Sequence, residues 1–157
     1  GGGLAVLGAG DAGLEGAMRD LARRHPGRVG LRIGYDEGLS RRMFAGGDAV
    51  LVPSRFEPCG LTQMYGLRHG TIPVVSAVGG LADTVIHASP AALASAAATG
   101  VVFHPVDALA LSQALARLVA LHAQPEVWAG LQKAAMKQPV GWGPSAAAYA
   151  RLYAGLA

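Results

Sequence analysis

Glu57, Gly60 and Thr62 lie within one short segment, Pro53-Ser54-Arg55-Phe56-Glu57-Pro58-Cys59-Gly60-Leu61-Thr62-Gln63. It follows an apolar run, Ala49-Val50-Leu51-Val52, and precedes a stretch with helical character, Gly60 to Gly70. This order places a carboxylate on a loop at the end of a buried strand, with a glycine and a threonine at the mouth of a helix. Ligands of open α/β sheets bind outside the carboxyl ends of the strands. A helix N-terminus offers unpaired backbone N–H groups and the positive end of a dipole, which suit a phosphate. An acid beside an anion cradle fits a nucleotide-sugar.

The rest of the chain reads as elements able to position that loop. Leu4 to Leu7, Val29 to Ile33, Ala49 to Val52, Ile72 to Val75 and Val101 to Phe103 are predicted strands. The Ala49 to Val52 run is uninterrupted, as expected of a parallel strand buried on both faces. Pro73 is tolerable only near the start of its strand. Helices are expected over Ala12 to His25, Asp36 to Ala45, Gly60 to Arg68 (with Gly70 as C-cap), Leu81 to Ile86, Asp107 to His122, Pro125 to Met136 and Pro144 to Leu156. Ser76 to Gly80 reads as a loop, and the alanine- and serine-rich Ala88 to Gly100 as an irregular insertion. Trp128 and Trp142 are expected to anchor the closing helices. Alternating strands and helices imply right-handed crossovers and a parallel sheet with helices on both faces. The fold class is therefore α/β, a doubly wound Rossmann-like domain.

With 157 residues, 52% of them hydrophobic and 15% charged, the chain suffices for one domain with a substantial core. No run of strongly apolar residues is long enough to predict a membrane span. The Gly1-Gly2-Gly3 start has no features of a signal peptide and reads as a chain cut from something longer. The one cysteine, Cys59, allows no internal disulfide and no cysteine-based metal cluster, and points to a reducing, cytoplasmic setting. The net charge is +3. The cations are interleaved with acids and lack a stripe with aromatic partners, so no nucleic-acid partner is expected. The five histidines show no metal-ligand spacing.

Gly8-Ala9-Gly10-Asp11-Ala12-Gly13 matches G-x-G-x-x-G between a strand and a helix, with Asp36 past the second strand where a ribose-binding acid belongs. This supports an alternative, a NAD-binding oxidoreductase. The competing reading is a tight strand-to-helix turn in a chain with 23 glycines. A non-catalytic nucleotide- or glucan-binding module is a third possibility.

Ser54 to Pro73, including Glu57-Pro58-Cys59-Gly60-Leu61-Thr62-Gln63, and Gly79-Gly80-Leu81-Ala82-Asp83-Thr84-Val85 closely resemble the bacterial glycogen synthases and plant starch synthases. Leu7 to Asp11, Ile33 to Glu37 and Ala49 to Pro53 follow in the same order. The resemblance implies a GT-B glycosyltransferase with two Rossmann-like domains across a cleft, of which this chain is similar to the C-terminal, donor-binding one, without its first strand and helix. It implies that the N-terminal acceptor-side domain and the cations gripping the donor diphosphate are absent, so that the single domain, residues 1–157, is inactive alone. The implied activity is retaining transfer of glucose from ADP-glucose to the non-reducing end of an α-1,4-glucan, with no cofactor, metal or membrane.

Residue by residue, the resemblance makes Glu57 the catalytic candidate, near the donor sugar and stabilising positive charge at the anomeric carbon; the simpler reading pairs it with Arg55. Gly60, Leu61 and Thr62 would hold the distal phosphate of ADP, although Thr62 could merely cap the helix. Cys59 would line the sugar pocket, Tyr35 would stack on the adenine, and Gly79 and Gly80 would let a loop approach the donor. Tyr65 stands where the wider superfamily has a second glutamate, so its phenol could replace only part of a ribose contact. Asp83 reads as a local cap or ion-pair partner. Tyr149, Leu152 and Tyr153 form an apolar face on the last helix that the missing domain would otherwise cover.

Overall fold

The computed structural model describes residues 2–156. The chain divides into two compact units, Gly1–Gly46 and Gly47–Ala157. In the first unit, β1 (Leu4–Gly8) pairs in parallel with β2 (Val29–Ile33), and helix α1 (Ala12–Arg24) connects them. Asp11 starts α1 by accepting the Leu14 N–H at 3.0 Å. Asp36 does the same for α2 (Glu37–Gly46), accepting from Leu39 at 2.8 Å. A short acceptor at the N-cap pairs one of the donors that the first turn leaves free.

The second unit is built on three parallel strands in the order β3 (Ala49–Val52), β4 (Ile72–Ser76), β5 (Val101–Phe103). Helix α3 (Thr62–His69) crosses from β3 to β4, and α4 (Gly79–Thr84) and α5 (Pro90–Ala94) lie between β4 and β5. Helices α6 (Ala108–His122), α7 (Pro125–Met136) and α8 (Trp142–Ala154) follow. Every residue of β4 is buried. Its alternation explains how: Ile72 and Val74 join Leu67, Phe103, Leu121, Trp128 and Leu131 in one core, while Val75 joins Val52, Leu81 and Val85 in another. Pro73 fits in this central strand because pairing with β5 begins only at Val74, and the adjacent ladder bond is made by Ile72, which donates to Asp48 O.

The predicted strands and helices are present, with five differences. The five strands hydrogen-bond as two parallel sheets, one in each unit. β3 is an outer strand of its sheet, and Leu51 is 37% exposed, contrary to burial on both faces. Helix α3 starts at Thr62, two residues late, whereas α4 starts at Gly79 and absorbs two residues read as loop. The 88–100 segment is not irregular. Ser89 caps α5 by accepting from Ala92, Pro90 takes the first helical position, and Thr99 Oγ1 accepts the Ile86 N–H at 2.8 Å. Ala88, Ala98 and Thr99 are buried there. Trp128 is buried at 8% exposure, but Trp142, expected to anchor, is 80% exposed at the start of α8. Tyr149, Leu152 and Tyr153 are exposed, as expected.

The caps give a first test of this local account. Asp107 accepts the Ala110 N–H at 2.8 Å and is the side chain that caps the start of α6. Asp107→Ala is expected to lower stability by about 1 kcal/mol, measured as a reduced urea midpoint with an unchanged slope.

His87 supplies a pH dependence. Its Nδ1 accepts the Val102 N–H at 3.0 Å, which requires the unprotonated nitrogen. Burial, reinforced by the Arg117 guanidinium, lowers its pKa below the ordinary 6.5. The unfolded chain therefore binds the proton more readily than the folded one, and stability falls as pH drops through 6.5 toward the lower folded value. Denaturant midpoints should fall between pH 7.5 and pH 5.5, and His87→Gln should flatten that slope.

Candidate functional site

The loop between β3 and α3 is held from inside by its carbonyl groups. Ser76 Oγ, buried at the end of β4, donates to Ser54 O at 2.5 Å. The Gly80 N–H donates to Glu57 O at 3.2 Å. Gln63 Nε2 donates to Cys59 O at 3.0 Å and to Gly60 O at 2.8 Å. With these oxygens engaged inward, the N–H groups of Gly60, Leu61 and Thr62 donate to no other described residue. Leu61 occupies the N-cap with no side-chain bond, and Thr62 is the first residue of the helix. Thr62 therefore does not cap α3, and the start of the helix keeps its donors for another partner.

Glu57 is half-buried, and its carboxylate forms no ion pair with Arg55 or any other described residue. The simpler reading of Glu57 as the Arg55 partner does not hold. Cys59, Leu61 and Thr62 are exposed, and Tyr65 lies on α3 with its ring exposed. Thus residues 57 to 62 and the first turn of α4 form one arrangement. Tyr35 belongs to the first unit, two residues past the end of β2, and is 89% exposed.

The structure gives Gly79 and Gly80 a role that the sequence did not display. A Cβ on Gly79 would overlap the Glu57 carbonyl oxygen, and one on Gly80 would overlap the Cys59 carbonyl. Gly79 also has φ +44°, which side chains rarely adopt. The two glycines let α4 approach the Glu57–Cys59 backbone. Asp83, expected to cap or pair locally, makes no side-chain bond with another described residue. Its neighbour Thr84 does instead, donating to Gly80 O at 2.5 Å and accepting from Gln63 at 3.1 Å. Ser76 and Thr84 were missed because a hydroxyl engaged by tertiary contact carries no periodic signal.

The Gly8–Gly13 turn has a different electrostatic character. Gly10 N–H donates to the Glu15 carboxylate at 3.1 Å, and Asp11 occupies the N-cap. Two carboxylates sit where a dinucleotide would place its pyrophosphate, and Asp36 is committed to capping α2. This favours the tight-turn reading over the dinucleotide fingerprint. Among the described residues no three His, Cys, Asp or Glu side chains come together as a metal site. No described helix is long and apolar enough to cross a membrane.

Residues 33–133 match the family "Glycosyl transferases group 1". The chain belongs to this glycosyl transferase family. It is 69% identical over 153 residues to a glycogen synthase of Cereibacter sphaeroides, covering 98% of the chain and 32% of that relative. It is 65% identical over 157 residues to a glycogen synthase of Paracoccus denitrificans, covering 33% of it. The chain thus spans about a third of the length of these curated relatives. Among solved structures it is similar to the catalytic domain of starch synthase IV from Arabidopsis thaliana bound to ADP and acarbose. The TM-score is 0.86 at 31% identity, over 98% of this chain and 32% of that one. The parallel α/β architecture is that of the GT-B glycosyl transferases, and in this chain the Glu57 loop and the Gly79-Gly80 turn are joined through their backbones.

Proposed function

We propose that this glycosyl transferase chain is the donor-binding part of an ADP-glucose-dependent glycogen synthase. The observation that carries this reading is the β3–α3 loop: its carbonyls are engaged inward, and the amides of Gly60, Leu61 and Thr62 are unengaged on the same short loop as an unpaired Glu57. The amides hold the distal phosphate of ADP, helped by the dipole of α3 and the Thr62 hydroxyl. Cys59 lines the sugar pocket, Gly79 and Gly80 border the same site, and Tyr65 contributes a phenol toward the ribose. The 69% identity to a glycogen synthase supports glucose as the transferred group and an α-1,4-glucan as acceptor. The starch synthase structure, bound to ADP and acarbose, supports an adenine nucleotide and a glucan.

Transfer proceeds with retention. The departing phosphate assists on the face from which the glucan hydroxyl attacks, so the chemistry requires no protein nucleophile. The protein contributes positioning and charge stabilisation. Glu57 places negative charge beside the anomeric carbon as the glycosidic bond to phosphate lengthens. A second, N-terminal domain supplies the acceptor side and the cations for the diphosphate. The reaction belongs in the cytoplasm.

Calorimetry of ADP, UDP, ADP-glucose and NADH on this chain tests the reading. Saturable binding of ADP and ADP-glucose, with weaker UDP and no NADH, is the expected result. Binding of NADH in preference to ADP would return the Gly8–Gly13 turn to consideration.

A further inference from the structure

Gln63 is fully buried, at 0% exposure, and its amide is used asymmetrically. Three acceptors share its two N–H groups: Cys59 O, Gly60 O and Thr84 Oγ1. Its Oε1 is buried with no hydrogen-bond partner. Turning the amide over would set Oε1 against two carbonyl oxygens, so the network fixes the orientation. An unpaired buried acceptor is destabilising, because its lost hydration is not replaced. Packing alone would be served as well by an apolar side chain of similar shape, such as methionine. Gly60 makes room for the amide: it has φ +74°, and a Cβ there would overlap the Gln63 amide. Thr84, the third acceptor, donates its own hydroxyl hydrogen bond to Gly80 O, which links Gln63 to the turn packed against Glu57 and Cys59.

We propose that Gln63 is a positioning residue for the donor site, drawing the Cys59 and Gly60 carbonyls inward and tying them to α4 so that the following amides remain available to a nucleoside diphosphate. The proposal rests on the donor-binding reading for its ligand, but its geometric part stands alone. Gln63 touches no substrate; it acts through the backbone of residues 59 and 60.

The test compares Gln63→Met, which keeps the volume and removes both the donors and the orphaned oxygen, with Thr84→Val, which removes the hydroxyl. Readouts are the urea midpoint, the ADP dissociation constant, and amide hydrogen exchange over residues 59–62. A further readout is the rate at which Cys59, the one cysteine of the chain and exposed, reacts with an aromatic disulfide. The expected result for Gln63→Met is a folded protein with ADP affinity at least tenfold weaker, and exchange and thiol reactivity both changed severalfold. Thr84→Val shifts the same readouts in the same direction by less, and Thr84→Ser restores them. A folded Gln63→Met with parental ADP affinity, exchange and thiol reactivity overturns the proposal. If Gln63→Met does not fold, parental exchange and thiol reactivity in Thr84→Val overturn it. If the parent chain takes no ADP while the variants still alter exchange and Cys59 reactivity, the donor reading fails and the positioning role stands.

Discussion

Glu57→Gln, in a protein of the relatives' full length, is expected to lower kcat by about 10²- to 10³-fold while leaving the dissociation constant for ADP nearly unchanged. The magnitude is that of removing one preorganised electrostatic contact to a developing charge. The split follows from geometry. Glu57 is half-buried and forms no ion pair, so its charge is not spent inside the protein. Its backbone carbonyl, not its side chain, holds the loop to Gly80. Glutamine preserves the shape and that backbone bond, so the amides of residues 60 to 62 keep their positions. Glucosyl transfer measured at saturating ADP-glucose, with ADP binding by calorimetry, checks both halves. Transfer at the parental rate in Glu57→Gln would remove this residue from the chemistry.

Gly80→Ala is expected to weaken ADP binding by at least tenfold, about 1.4 kcal/mol, and to lower stability by about 1–3 kcal/mol, the usual range for overpacking. A Cβ at residue 80 meets the carbonyl and Cα of Cys59, which are backbone atoms that a rotamer change cannot move. The loop must retreat from α4, and the bond from Gly80 N–H to Glu57 O is strained with it. Gly130→Ala is the control. Gly130 lies within α7, and a Cβ there meets nothing within 4 Å. Alanine there should raise stability by about 0.5–1 kcal/mol through helix propensity and leave ADP binding alone. Urea titration and calorimetry on the three proteins decide the matter. Equal ADP affinity in Gly80→Ala and the parent would show that the close approach of α4 is not needed for binding.

Much of the fold was legible because it rests on local pattern. The run Ala49 to Val52, the spacing in Ala12 to His25, and Asp107 and Pro125 at helix starts are short-range signals, and the corresponding elements formed within one or two residues of expectation. Gly70 adopts φ +73° at the end of α3, as a glycine C-cap should. The misreadings have separate origins. Alanine is equally at home in a core, in a short helix or on a surface, so Ala88 to Gly100 offered no contrast to read, although Ser89-Pro90 was a usable start signal. Trp142 was judged by its size, and size does not say whether another element covers it.

Residue types and spacing by themselves determined where an acid, a glycine, a threonine and a helix start coincide, and which family that coincidence resembles. Only the tertiary structure decided how this loop is held: Ser76, Gln63 and Gly80 donate to its carbonyl groups, Ser76 and Gly80 from 22 and 23 residues further along the chain, with Thr84 bridging Gln63 and Gly80, and the N–H groups of residues 60 to 62 donate to no other described residue. The physical reason is that a backbone hydrogen-bonding group must find a partner when buried. Which partner it finds depends on segments brought together by the core around β4, a contact that no local pattern encodes.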